Sequence, residues 1–334
     1  VTQTGTNLDG RYSELKLLTI SCIFGISAVL PFLANKNRPF YPNPHLFNAI
    51  FFFLLSLRQY EKLKTMERRS ILVPHDFTPV GDNALKYAIK LAQKIQANVD
   101  LLHVVKDEKE RSKASAQFDK IIANLTDKPK EVAVNYHIKS GTIFTDIASK
   151  AAELKSSLII MGTHGATGMQ KLFGSFAIKV ITSTHVPFLV VQSKFTGDDL
   201  SKIVVPIDES QESLQIEQVT SGLAAMTKSE IHILTEKKID SNLKLKCAVH
   251  SGLISKQFKE KGLSYVPAVI PKVKGYATDI VTYAVKANAN LIAFAYHSDS
   301  LLPQFDTFAQ NLITNKEGVP VLVVNSKEAG NYFF

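Results

Sequence analysis

The run Leu158 to Ser175 reads LIIMGTHGATGMQKLFGS, a residue set whose chemistry would be anion binding. Gly162, Gly165 and Gly168 permit backbone angles and close approaches that a side chain forbids. Gly174-Ser175 opens the apolar-periodic run Phe176 to Thr184, which predicts a helix. Free N–H groups at a helix start and the positive end of its dipole both favour negative charge. A strand, a glycine loop and a helix N-terminus are therefore the parts of a phosphate cradle. The same letters also fit a turn closed by a serine cap, because loose glycine spacings arise by chance.

Other chemistries lack their residues. The nine histidines include no HExxH or similar ligand spacing, and Cys22 and Cys247 lie too far apart in sequence to form a spaced thiolate cluster. Two isolated cysteines also exclude a disulfide scaffold and fit a reducing compartment. No Walker A lysine, GxSxG nucleophile, paired-carboxylate motif, HxGH or SGGxDS signature occurs. Fast phosphoryl transfer needs a fixed cation at the phosphates, and Lys171, the one lysine in the loop, reads equally well as a solvated surface residue.

The elements that must hold such a loop are legible from Met66 onward. Strands are expected at Ile71–Pro74, Val99–Val105, Val132–Ile138, Leu158–Met161 and Phe188–Gln192, with helices at 82–96, 109–124, 143–155 and 176–184. Alternation of this kind demands right-handed crossovers and a parallel sheet covered on both faces, with the ligand beyond the carboxyl ends of the strands where their order reverses. The pattern then returns. Val73-Pro74-His75-Asp76 is echoed by Val205-Pro206-Ile207-Asp208 at an offset of 132, and Thr145-Asp146-Ile147, Leu158-Ile159 and Val186-Pro187 recur 133 residues on. A period of a whole domain implies a tandem duplication. The expected organisation is a first domain at 66–194, a linker at 195–200 containing Gly197-Asp198-Asp199, a second domain at 201–326 and a tail at 327–334. The fold class is α/β: two tandem, doubly wound, five-stranded parallel-sheet domains of Rossmann-like type.

Residues 1–65 differ from the rest. They hold two apolar runs, 17–35 and 46–57, of which the first is just long enough to span a bilayer and the second too short. Two readings stand: a membrane anchor or hairpin, or an upstream extension that is not part of the working protein. The absence of methionine before Met66 favours the second. The net charge of +9 does not point to nucleic acid, since no arginine follows Arg111 and no basic stripe with interleaved aromatics is found.

The residues Ile71-Leu72-Val73-Pro74-His75-Asp76-Phe77, His103-Val104-Val105, and Met161-Gly162-Thr163-His164-Gly165 through Gly174-Ser175 to Val186-Pro187-Phe188-Leu189-Val190-Val191 resemble, as an ordered set, the universal stress protein family in its tandem form. The resemblance covers about residues 66–326. It implies ATP binding through a G-x2-G-x9-G-[ST] loop, with magnesium as an accompanying ion and at most slow hydrolysis. It places adenine and ribose near Pro74, His75, Asp76 and Val104, and the phosphates near Met161, Gly162, Gly165, Gly174 and Ser175. Asp76 suits ribose hydroxyls and also suits a turn or helix cap. Departures are eight residues rather than nine between Gly165 and Gly174, Ala177 where a hydroxyl is usual, and His75 in place of a smaller residue. In the second repeat Ala295, Ser298 and Asp306 replace the glycines, and a carboxylate there would repel phosphate. The expected partners are an adenine nucleotide, pairing of the two repeats through their last strands, and further pairing of chains into a homodimer. The implied site of action is the cytoplasm, or a membrane only if residues 1–65 anchor it.

Overall fold

The computed structural model describes residues 68–126, 128–163, 173–193, 200–297 and 307–326, with backbone alone at Phe144 and at 173–177. The chain divides into two compact units, Val1–Glu67 and Arg68–Phe334, and every described residue belongs to the second. The expectations for residues 1–65, the linker, the tail and Gly165 lie outside the described residues. Among the described residues no helix is long and apolar enough to cross a membrane.

The first half runs β1 (Arg69–Pro74), α1 (Pro79–Ile95), β2 (Ala97–Val105), α2 (Arg111–Ala123), β3 (Val134–Ser140), α3 (Ile143–Glu153), β4 (Ser156–Thr163), α4 (Phe173–Thr182) and β5 (Phe188–Gln192). The second half repeats the order as β6 (Lys202–Pro206), α5 (Ile216–Thr227), β7 (Glu230–Glu236), α6 (Ser241–Glu260), β8 (Tyr265–Ile270), α7 (Tyr276–Lys286), β9 (Leu291–Tyr296), α8 (Thr307–Ile313) and β10 (Val321–Asn325). α1 begins three residues before the expected Asp82. Thr78 accepts a hydrogen bond from the Gly81 N–H and Pro79 takes the first helical position, so the Thr-Pro pair sets the start. Gly174 and Ser175, expected ahead of a helix, fall inside the first turn of α4.

All ten strands form one sheet, in the order β3-β2-β1-β4-β5-β10-β9-β6-β7-β8. Each half is parallel throughout, and its order reverses beside its first strand, between β1 and β4 and between β6 and β9. The halves meet at β5 and β10, which run antiparallel. Leu189 faces Leu322, its own counterpart 133 residues on, while Val190 faces Val321 and Phe188 faces Val323. Side chains repeat the reciprocity: Gln192 Nε2 donates to the Ile313 carbonyl (2.9 Å) and Asn325 Nδ2 to that of Ile181 (3.5 Å). Contacts in which i meets j and j meets i mark a local two-fold axis through this strand pair. Helices cover both faces. Ile71 and Val73 point into one apolar layer and Leu72 into the other, and both layers continue across the strand junction into the second half.

Candidate functional site

The chain end of β1 is built by hydrogen bonds that follow from its sequence. The His75 N–H donates to the Leu102 carbonyl (2.8 Å), extending the ladder one residue past Pro74. Asp76 then turns the chain. Its Oδ1 accepts from both the N–H (3.1 Å) and the hydroxyl (2.6 Å) of Thr78, and Thr78 in turn caps α1. Asp76 is exposed, and both of these bonds use the same oxygen. Phe77, between them, adopts φ 62°, a conformation that costs a bulky residue about 1–3 kcal/mol unless its surroundings impose it. They do. Its N–H donates to His75 Nδ1 (3.0 Å), and its ring packs against His103 (4.4 Å between centroids) and Phe118 (4.8 Å). His103 donates from Nδ1 to the His75 carbonyl (2.7 Å), closing the loop onto β2.

Pro74, His75 and Asp76 thus stand at the end of β1, Val104 near the end of β2, and Met161 and Gly162 near the end of β4, with β1 the middle strand. This is the reversal point of the first half, where doubly wound sheets bind ligands. Val104 and Met161 are half-buried against the apolar layer that includes Leu72. Gly162 has a packing reason that its sequence position did not disclose: a Cβ there would lie 2.3 Å from the Val80 carbonyl oxygen, so the first turn of α1 rests directly on β4. Thr163, next in β4, is buried, and its hydroxyl has no hydrogen-bond partner among the described residues. Thr163, Phe77 and Thr78 went unassigned by sequence reasoning. Thr78 was findable from Thr-Pro, whereas Phe77 and Thr163 carry no signal outside the fold.

His75 is buried, with Nε2 3.3 Å from Asp82 Oδ1 but without a well-formed hydrogen bond. Burial is the main influence and lowers its pKa, opposed by the carboxylates of Asp82 and Asp76. The neutral ring agrees with Nδ1 acting as an acceptor. Because the unfolded chain binds a proton that the folded chain resists, stability should rise with pH through the unfolded value near 6.5 and fall on acidification below it. His75→Ile, the residue its counterpart Ile207 carries, should flatten the dependence of melting temperature on pH between about 5 and 7. An unchanged slope would show that another group governs it.

The second half keeps the turn and places a phenol near it. Asp208 Oδ1 accepts from the Ser210 N–H (2.8 Å) and hydroxyl (2.5 Å), and Ser210 Oγ accepts from the Ser213 N–H (3.3 Å), repeating the Asp76–Thr78–Gly81 arrangement. Tyr276 reaches the ends of β6 and β7. Its hydroxyl donates toward the Ile207 and Leu234 carbonyls (3.2 and 3.4 Å), and its ring stacks on Phe308 (5.7 Å). Burial, with Asp208 and Glu236, pushes that hydroxyl's pKa well above its ordinary value. Lys238 is held there by Glu209 (3.0 Å) and Glu236 (3.2 Å). The first-half counterpart of Tyr276 is Ile143, which is exposed.

Away from this crevice, the buried Asp100 accepts from Ser70 Oγ (2.6 Å) and pairs with His137 Nε2 (2.9 Å), so the serine and the imidazole meet the carboxylate and not each other. Among the described residues no group of three or more His, Cys, Asp or Glu is placed to hold a metal ion.

Two parallel half-sheets, each reversing its strand order beside its first strand, define an α/β protein of doubly wound architecture. The profile of the universal stress protein family matches residues 67–192. A universal stress protein of Methanocaldococcus jannaschii is 30% identical over 161 residues, which is 42% of this chain and 95% of that protein. Universal stress protein A homolog 1 of Coxiella burnetii is 24% identical over 143 residues, 39% of this chain and 99% of its own. The crystal structure of a universal stress protein from Archaeoglobus fulgidus has the same fold at a TM-score of 0.61 and 15% identity, covering 77% of this chain and 98% of that one. The chain belongs to the universal stress protein family.

Proposed function

We propose that the crevice between β1 and β4 binds one adenine nucleotide, ATP, and that the protein is a nucleotide-responsive stress and interaction module of the cytoplasm, at most a slow ATPase. The observation that carries this reading is Asp76: Oδ1 fixes the turn, which leaves the second oxygen of an exposed, held carboxylate for ribose hydroxyls at the reversal point. His75, Pro74 and Val104 would flank the base, and Met161, Gly162, Gly165, Gly174 and Ser175 would approach the phosphates through the β4 end and the α4 start. The unpartnered Thr163 hydroxyl beside that loop suits the same polar ligand. Magnesium would come bound to the phosphates, since the described residues hold no group of three or more His, Cys, Asp or Glu placed for a metal ion.

The second half is read as a degenerate repeat, supported by the shared turn, the shared strand order and the local two-fold axis. Tyr276, at the ends of β6 and β7, would take up its crevice, so that this half covers the β5 edge without binding a second nucleotide. ATP at a hundredfold excess over its dissociation constant should stabilise the protein by about 2.7 kcal/mol. Asp76→Ala should weaken this protection and Gly174→Asp, copying Asp306, should abolish it. Absence of protection in the unaltered chain would favour a ligand-free interaction protein. Protection that survives both substitutions would place the nucleotide elsewhere.

A further inference from the structure

We propose that the outer edge of the second half, where the segment after β7, the helix α6 and the segment after β8 meet, docks on an anionic lipid surface. Ile239 is fully exposed, and Val273 is 71% exposed. The two leave the same end of neighbouring parallel strands, tied by the Lys237 N–H to the Ile270 carbonyl (2.8 Å). α6 starts two residues after Ile239 and presents Leu245 (64% exposed), Val249 (50%) and Leu253 (48%) four residues apart on its outer side. Its inner side is spent on Cys247, His250, Ile254 and Phe258. Exposed aliphatic side chains therefore stand both at this end of the sheet and along the outer side of the helix that starts there.

Lysines accompany these side chains. Lys237, Lys244, Lys246, Lys272 and Lys274 are all exposed, and none forms an ion pair among the described residues. The one acid within residues 237–253 and 271–275, Asp240, is used to cap α6 through the N–H groups of Asn242 and Leu243. Lys244 and Lys246 lie in the first two turns of α6, where the helix dipole disfavours cations, so the fold gains nothing from their placement. An anionic surface gains from all of it. Aliphatic side chains that enter the headgroup region and lysines that meet acidic lipids are the two parts of an interfacial site.

Other occupants match less of the surface. A second copy meeting this face across a two-fold axis would set the lysines against each other. Strand addition at β8 would meet Pro267, which lacks an N–H. Nucleic acid would want arginine and stackable rings, and these exposed side chains include neither.

The chain contains no tryptophan, so Leu245→Trp in the full chain is a single reporter at the proposed contact. Its emission should shift to shorter wavelength on phosphatidylcholine vesicles containing about one-third phosphatidylserine, stay unchanged on pure phosphatidylcholine, and return in about 0.5 M salt. Reversing Lys244, Lys246, Lys272 and Lys274 to Glu should weaken the response more than about a hundredfold. Val249→Trp gives a second reporter should the first perturb α6. Vesicle binding without a shift at either position would place the contact elsewhere and overturn the proposal. So would an equal shift on neutral vesicles, or an equal shift with soluble polyglutamate, which would identify an acidic polypeptide as the partner.

Discussion

A chain ending at Ser193 is expected to dimerise or aggregate at micromolar concentration. In the intact protein every residue of β5 is buried, and one of its edges is covered by β10. Removing the second half strips that edge of its hydrogen-bond partners and exposes Phe188, Leu189, Val190 and Val191, all fully buried now, beside a run of unpaired backbone groups. Such an apolar edge is a template for another chain. The local two-fold axis also specifies what the fragment would do: β5 meets its own counterpart in sequence in the intact chain, so two fragments would pair β5 with β5 in the same register. β3 and β8, the outer edges of the sheet, do not share the hazard, because β3 carries Asn135, His137 and Lys139 and β8 carries Pro267. Sedimentation measures the result, and a stable, soluble monomer of residues 66–193 would refute this account of the second half.

Gly162→Ala should destabilise the protein by about 3 kcal/mol, although it adds one methyl group. The added Cβ would meet the Val80 oxygen at 2.3 Å, the carbonyl carbon at 2.7 Å and Cγ1 at 2.7 Å. Two of these are backbone atoms, so no rotamer change relieves the clash; the first turn of α1 must lift from β4, which also disturbs the Asp76 turn. Gly252→Ala supplies the contrast. Gly252 lies within α6, a Cβ there meets nothing within 4 Å, and alanine should stabilise by up to about 1 kcal/mol through helix propensity. Denaturant melts of the two variants should therefore move in opposite directions. If Gly162→Ala melts like the unaltered chain, the close approach of α1 to β4 is wrong.

These contrasts show what the sequence could and could not convey. The strands were readable because runs such as Leu158–Met161 and Phe188–Val191 are apolar at consecutive positions, as a sheet covered on both faces requires. The return of the same order of strands and helices was readable because Val-Pro-x-Asp and Val-Pro recur in register. Contacts set by tertiary approach were not. Glycine at 162 advertised conformational freedom, yet its requirement is the Val80 carbonyl, which lies 82 positions away in sequence. Phe77 gave no hint of a left-handed conformation, because nothing local favours it and only the rings of His103 and Phe118 and the Nδ1 of His75 hold it there. Tyr276 carries no signal of its own in the sequence, since its placement depends on the Ile207 and Leu234 carbonyls. The glycines absent from the second half at Ala295, Ser298 and Asp306 raise the expectation of a decayed phosphate loop, but give no hint of a phenol at the ends of β6 and β7.

The claim that one half binds and the other is filled is tested most directly by titrating the full chain with ATP in a calorimeter. The account predicts one site per chain in the unaltered protein and none in Gly174→Asp, with Tyr276→Ala still showing one, because removing the phenol does not restore the missing glycines. Two sites in the unaltered chain, or one site that survives Gly174→Asp, would contradict it.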